Sequence, residues 1–322
     1  MSSFEEDAER YRHELRVHCY RMLGSYDEAE DLVQETYVRA WRSYDRFEGR
    51  SSMRTWLHRI ATNACLTALE TRSRRPLPVG LGAPSSDPGD VLVERAEVPW
   101  LEPMPDALLT EDPAAVVTGR ESIRLAVVAA MQFLPPRQRA VLILREVLQW
   151  PAADVAEMLG MSVASVNSAL QRARAQVQEA TVSADDVSEP DEADKRELLD
   201  RFVAAFEAKD TAAMVKIFTT DAVWEMPPFT GWYSGPEAIA RLVGTQCPAE
   251  GPGDMRLVPT RANGQDAFGL YMRDGDTYRP FNLPVLTLTP AGVSHVACFF
   301  DLRLFRTFGL PESLPGPAGA GR

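Results

Sequence analysis

Between Val163 and Val177 the sequence V-A-S-V-N-S-A-L-Q-R-A-R-A-Q-V carries a set of hydrogen-bonding groups at helical spacing. Ser165, Asn167, Ser168, Gln171, Arg172 and Arg174 share one side, while Val163, Val166, Leu170, Ala173 and Val177 recur by threes and fours on the other. Amide and hydroxyl groups read base edges, and guanidinium groups neutralise phosphates, so this is chemistry suited to a nucleic-acid groove. A second candidate set lies near the C-terminus. Asp221, Glu225, His295 and Asp301 are groups that can move a proton, and Trp224, Trp232, Tyr233 and Tyr271 are aromatic groups that can wall a pocket. His295 alternates with Val296 along a strand-like run, which equally suits a histidine packed in a core.

The elements that must position the first set are legible. Ala152–Leu159 reads as a short helix, Gly160 as its turn and Ser162 as the cap of the helix that follows: a helix-turn-helix. Upstream, Asp27-Glu28-Ala29-Glu30 reads as a capping box. The helix it opens buries Ala29, Leu32, Val33, Thr36, Tyr37, Ala40 and Trp41 and leaves Asp31, Gln34, Glu35, Arg39 and Arg42 outside. A polar loop, F-E-G-R-S-S, precedes a second helix. It turns Met53, Trp56, Leu57, Ile60, Ala61, Ala64 and Cys65 inward and Arg54, His58, Arg59, Asn63 and Thr67 outward. From Arg50 to Arg75 arginines outnumber carboxylates, a local basic surface on a chain of net charge −12.

D-L-V-Q-E-T-Y-V-R-A-W, then R-S-S-M-R-T-W-L-H-R-I-A-T-N-A-C-L-T-A-L, then the helix-turn-helix resemble extracytoplasmic-function sigma factors of bacterial RNA polymerase over about the first 180 residues. The resemblance implies partners and roles. Core RNA polymerase would be met through its β′ and β subunits, with Asp31, Gln34 and Glu35 on the β′ coiled coil. Arg50, Trp56, Arg59 and Asn63, with the loop at 47–52, would hold a flipped base of the promoter −10 element. The helix carrying Ser165, Asn167, Ser168, Gln171, Arg172 and Arg174 would enter the major groove at −35.

From about Glu192 the pattern changes to helices followed by strand-like runs at Ala222–Met226, Met255–Arg261, Ala267–Arg273, Leu283–Leu288 and V-S-H-V-A-C-F-F-D-L. F-x-x-A-F-E-A-K-D and D-L-R-L-F-R-T-F-G-L-P resemble the SnoaL-like, nuclear-transport-factor-2-like cone. The fold class expected is therefore multidomain: two all-α helical domains, the second with the helix-turn-helix, then an α+β cone. The boundaries expected are a −10-reading, polymerase-docking domain over 1–76, a Pro/Gly-rich linker over 77–113, and a −35-reading domain over 114–180. An acidic linker over 181–192, the cone over 193–310 and a tail without structure over 311–322 complete the chain. In the first linker, V-P-W-L-E-P strands Trp100 and Leu101 among prolines, and burial against a folded domain is expected for both. Asp221, Trp224, Trp232, Tyr271 and His295 are the expected pocket of the cone, for a small-molecule ligand.

Four scattered cysteines form no CxxC pair, so neither a disulfide framework nor a metal site is expected, and no cofactor. No apolar run reaches the ~18 residues of a membrane span, and the start is acidic, so a cytoplasmic protein without membrane contact is expected. The reading is a transcription initiation factor that is not an enzyme, its cone regulating activity. Two rivals use the same residues: a helix-turn-helix regulator that works without polymerase, and a cone-type isomerase or cyclase with a DNA-binding N-terminus.

Overall fold

The computed structural model describes residues 7–49, 51–71, 73–81, 84, 87–109, 122–185 and 189–316. The chain divides into two compact units, Met1–Arg75 with Leu101–Ala184, and Pro76–Trp100 with Asp185–Arg322.

The first unit is helical. α1 (Arg12–Leu23), α2 (Tyr26–Ser43) and α3 (Met53–Glu70) pack on one another, and α4 (Leu125–Gln132) and α5 (Pro136–Leu142) pack against α1. A π-helical turn, Ile143–Val147, leads to α6 (Ala152–Leu159), and α7 (Val163–Asp185) follows. Gly160 has φ 63°, and Ser162 Oγ accepts from Ser165 N at 3.1 Å, which is the turn and cap the sequence prescribes.

Four local expectations need correction. The cap of α2 is Ser25, not Asp27: its hydroxyl accepts from Glu28 N at 3.3 Å, because Gly24 in a left-handed conformation (φ 70°) ends α1 and delivers Ser25 in extended backbone. Glu30 does not reach back to the cap, since Arg12 and Arg16 of α1 take its carboxylate. Trp41, expected inside, is 63% exposed, and His58, expected outside, is fully buried. At about 100° per residue Trp41 lies roughly 80° from Asp31 on the α2 wheel, so its neighbours are the polar outer residues.

The second unit holds a mixed sheet of order β2-β1-β6-β5-β4-β3, formed by β1 (Phe218–Glu225), β2 (Trp232–Ser234), β3 (Met255–Ala262), β4 (Gln265–Asp274), β5 (Thr277–Thr289) and β6 (Gly292–Phe299). β1 and β6 run parallel and the other pairs antiparallel. Asn263 and Gly264, both at positive φ, close the β3–β4 hairpin with the two-residue turn that matches strand twist. α8 (Glu192–Glu207), α9 (Thr211–Val215) and α10 (Pro236–Gln246) cover one face, and α11 (Arg303–Thr307) follows β6.

The boundaries differ from those read in the sequence at three points. Residues 76–100 belong to the sheet unit, where Glu94 bridges Phe229, Arg95 N donates to Pro228 O, and Thr230 N donates to Val93 O. The isolated bridge and these backbone bonds satisfy part of the linker's own backbone groups, and the Pro-rich composition hides this. α7 runs to Asp185 and Asp191 caps α8. Leu314–Pro315 pairs with β5 as β7, so the structured chain passes the expected end at 310.

Candidate functional site

Four groups of residues could carry function, three in the helical unit and one in the sheet unit.

Asp31, Gln34 and Glu35 stand exposed on α2, and Val38 and Trp41 continue the same face. Glu35 pairs with Arg39 within the helix. The result is an amphipathic stripe: carboxylate and amide groups at one end, an indole at the other, on a helix rigid by its packing on α1 and α3. The sequence reading found the polar half. The apolar half was readable from the wheel angle, but Trp41 was assigned to the core on its residue type.

Beside it, the rings of Phe47 and Trp56 stack at 4.7 Å between centroids, with Tyr44 6.4 Å from Phe47. This aromatic platform borders the loop expected to receive a base; Arg50 lies outside the described residues. Asn63 is exposed on α3. Arg59 is ion-paired to Glu157 of α6 at 2.9 Å.

On α7, Ser165, Asn167, Gln171, Arg172 and Arg174 are exposed and Ser168 half-buried, while Val166, Ala169, Leu170 and Ala173 are buried. The face is thus free of the core. Arg172 donates to Ser168 Oγ at 2.6 Å, and Arg174 pairs with Glu146 at 2.6 Å. Arg174→Ala is expected to weaken binding to all DNA sequences together and to reduce the slope of log affinity against log salt by about one unit. Asn167→Ala should instead cost about 1–3 kcal/mol on the preferred base at one position. Titrations of randomised duplexes at several salt concentrations separate the two; identical behaviour would overturn this sorting of the face.

The candidate pocket of the cone does not assemble. Trp224 stacks on Phe206 (5.8 Å) inside a core with Phe202, Phe218 and Phe268. Tyr271 belongs to a different cluster, edge-on to Phe305, with its hydroxyl donating to Pro311 O at 2.7 Å. Asp221 is exposed and accepts from Thr219 Oγ1, Trp232 is half-buried on β2, and Asp301 pairs with Arg303. Glu225 and His295 meet at 2.7 Å, as same-face neighbours on the parallel strands β1 and β6, and Trp232 of β2 stands opposite Glu225 in the strand register. Glu225 is fully buried, and its other oxygen accepts from Val79 N of the linker at 2.9 Å. A cavity of about 500 Å³ lies elsewhere, between linker residues Asp90–Arg95 and Thr230–Tyr233 of the sheet edge.

Of the two residues expected to dock, Leu101 is fully buried in the helical unit, against Gly24 of the α1–α2 turn. Trp100 is in the sheet unit, half-buried, its indole N–H donating to Arg95 O at 2.9 Å. Glu102, which the sequence reading passed over, completes the anchor. Its carboxylate accepts from Ser25 Oγ (2.6 Å) and Tyr26 N (3.1 Å), and its backbone N–H donates to Gly24 O.

Three of the four histidines lie in the helical unit. His18 bonds Thr62 Oγ1 at 2.9 Å and sits edge-on to His58, whose Nε2 is 3.2 Å from Glu14. Burial opposes ionisation of Glu14, but the bonds from His58 and Arg54 outweigh it and hold its carboxyl at about 2. Desolvation, then the proximity of His58 and Arg21, holds His18 well below its ordinary 6.5. The stability that neutral His18 contributes is full above 6.5, its unfolded value, and is lost as pH falls below it. The stability of the helical unit is therefore expected to decline from pH 6.5 downward, and His18→Gln to flatten that decline. Equal slopes for the two proteins between pH 6.5 and 5 in urea titrations would exclude His18 as the cause.

The comparisons agree with this division of the chain. Residues 8–75 match sigma-70 region 2, residues 124–177 match sigma-70 region 4, and residues 199–298 match a SnoaL-like domain. The chain belongs to the extracytoplasmic-function (ECF) RNA polymerase sigma factors. It is 59% identical to the ECF RNA polymerase sigma factor SigG of Mycobacterium tuberculosis, over 97% of this chain and 85% of that protein. It is 30% identical to SigJ of the same organism, over 98% of this chain and 97% of that protein. The crystal structure of SigJ shares the fold at a TM-score of 0.62 and 24% identity, covering 94% of this chain and 98% of that one. No helix among the described residues is long and apolar enough to cross a membrane.

Proposed function

We propose that the chain binds core RNA polymerase through the exposed stripe of α2 and directs it to promoters. The Tyr44–Phe47–Trp56 platform with Arg59 and Asn63 meets the −10 element, and α7 meets the −35 element. The observation that carries this reading is the stripe itself. Asp31, Gln34, Glu35, Val38 and Trp41 face solvent on one helix beside an aromatic, arginine-flanked loop, in a chain that also holds a free helix-turn-helix face. A regulator acting alone on an operator has no use for such a stripe. Partner desolvation of an indole ringed by polar groups is the usual form of an interface anchor. The cytoplasm, where polymerase works, is the place this function requires.

The cone is read as a holder of the linker rather than as an enzyme. Its core is filled by stacked aromatics, and the Glu225 carboxylate is fully buried and occupied on both oxygens, by His295 and by Val79 N–H. Regulation then acts by way of the segment 76–100. The cavity of about 500 Å³ beside Asp90–Arg95 is the place for a small ligand that would change that grip.

Run-off transcription with purified core polymerase tests the reading. Full-length protein should add promoter-specific transcripts, and DNA retention in gel shifts should require core. Sequence-specific shifts that are the same with and without core would favour the free regulator.

A further inference from the structure

The two arginines of the α7 face are held in different ways. Arg172 donates to a neutral oxygen, Ser168 Oγ, at 2.6 Å, so its full charge is open to a partner. Arg174 is instead paired through Nη2 with the carboxylate of Glu146 at 2.6 Å, 28 positions upstream and outside α7. Two positions on a helix span about 200°, so the two arginines stand at opposite margins of the face.

Glu146 is built into place. It belongs to the π-helical turn Ile143–Val147, whose widened ring is closed by Leu148 N donating to Ile143 O at 3.0 Å. Just beyond it Gln149 adopts a left-handed conformation (φ 56°), uncommon for a residue with a side chain, and its amide donates to Glu146 O. Arg145 donates to Trp150 O across the same turn. These bonds fix the backbone from which one carboxylate reaches the margin of the DNA face. An exposed ion pair adds little to folding, so stability alone does not account for the arrangement.

A phosphate that approaches Arg174 meets this carboxylate on the same guanidinium, inside the ~8 Å over which charges act at physiological salt. Both anions compete for one fork of N–H donors. Arg174 must exchange one anion for another, whereas Arg172 only adds one. We propose that Glu146 is a positioning residue for promoter binding: it occupies Arg174 in the free protein as a phosphate would, and so limits the sequence-independent grip of α7 on DNA. Base contacts from Asn167 and Gln171 then carry a larger share of the −35 affinity. The proposal rests on the assignment of α7 and Arg174 to DNA given above.

Glu146→Gln in the full chain, assembled with core polymerase, tests it. The substitution keeps the side-chain shape and an oxygen to accept from Arg174, and the side chain is 38% exposed, so the fold is retained, which a urea titration checks. The probes are a promoter duplex recovered by the wild-type holoenzyme from a random pool, and the same duplex with its −35 block scrambled. The expected result is about threefold tighter binding to both duplexes, the scale of an exposed ion pair, with the gain shrinking as salt rises. Arg174→Ala should cost more in the Glu146→Gln background than in wild type, because only there is the arginine free beforehand. Arg172→Ala should cost the same in both. A brace that merely presents Arg174 would give the opposite signs, with weaker binding by Glu146→Gln and a smaller Arg174→Ala penalty in that background. Either of those results, or unchanged binding, would overturn the proposal and leave Arg174 standing as a DNA contact. Arg174→Ala without effect on any duplex would remove the assignment of Arg174 and the proposal with it.

Discussion

Alanine in place of Trp41 is expected to weaken binding to core RNA polymerase by about 30-fold or more without changing the unfolding transition. The indole is 63% exposed, so its removal leaves no cavity in the free protein. Buried by a partner, an indole at the centre of a contact is worth 2 kcal/mol or more, and about 1.4 kcal/mol is tenfold. The three polar residues Asp31, Gln34 and Glu35 each contribute less singly, because they exchange water for partner groups. Their triple alanine variant should approach the Trp41→Ala loss. Competition with a labelled sigma factor for purified core measures both. A Trp41→Ala protein that competes as well as wild type would confine the docking stripe to its polar half.

Trp41 also marks where sequence reading stops. Helix existence and the polar outer face of α2 were legible because a 3.6-residue period needs no tertiary information. The assignment of Trp41 to the core followed residue type over wheel angle. His58 erred the other way: it was placed outside as a polar residue, yet it is buried because Glu14, His18 and Trp150 come from elements 40 or more positions away or on another helix. No local pattern encodes those partners. The linker was the largest surprise. Its prolines disfavour a long helix, and nothing in its composition tells that Val93–Arg95 bonds to the backbone of Pro228–Thr230 or that Val79 N–H caps Glu225. The cone itself was readable as helices then strands. The convergence of Asp221, Trp224, Trp232, Tyr271 and His295 into one pocket was not a local property: β1 turns Trp224 into the aromatic core, away from His295, and Tyr271 packs in a separate cluster with Phe305.

The second large effect lies at the anchor of the linker. Leu101→Ala should destabilise the helical unit by about 2–5 kcal/mol, the cost of truncating a fully buried leucine in a site that cannot collapse. Collapse is blocked because Leu101 meets the α1–α2 turn at Gly24. A Cβ built on Gly24 would lie 2.7 Å from Leu101 Cδ1, at a backbone φ of 70° that disfavours side chains. Gly24→Ala is therefore also destabilising, through strain rather than a void. Glu102, the neighbouring contact, behaves differently. Desolvation raises its carboxyl above the ordinary value, against the Ser25 bond and the nearby Arg75. For a group raised in the fold, the associated stability is full below the unfolded value of 4.5 and is lost as pH rises through the folded one. Glu102→Gln keeps an oxygen to accept from Ser25 and Tyr26 but has no charge to desolvate. It should gain on wild type between pH 4 and pH 7, while Leu101→Ala should lose the same amount at both. Urea titrations of the full chain, read by hydrogen exchange at amides of α1 and α2, separate these cases. A cost below about 1 kcal/mol for Leu101→Ala would mean that the linker rests on the turn without stabilising it, and that the anchor must be sought in Glu102 alone.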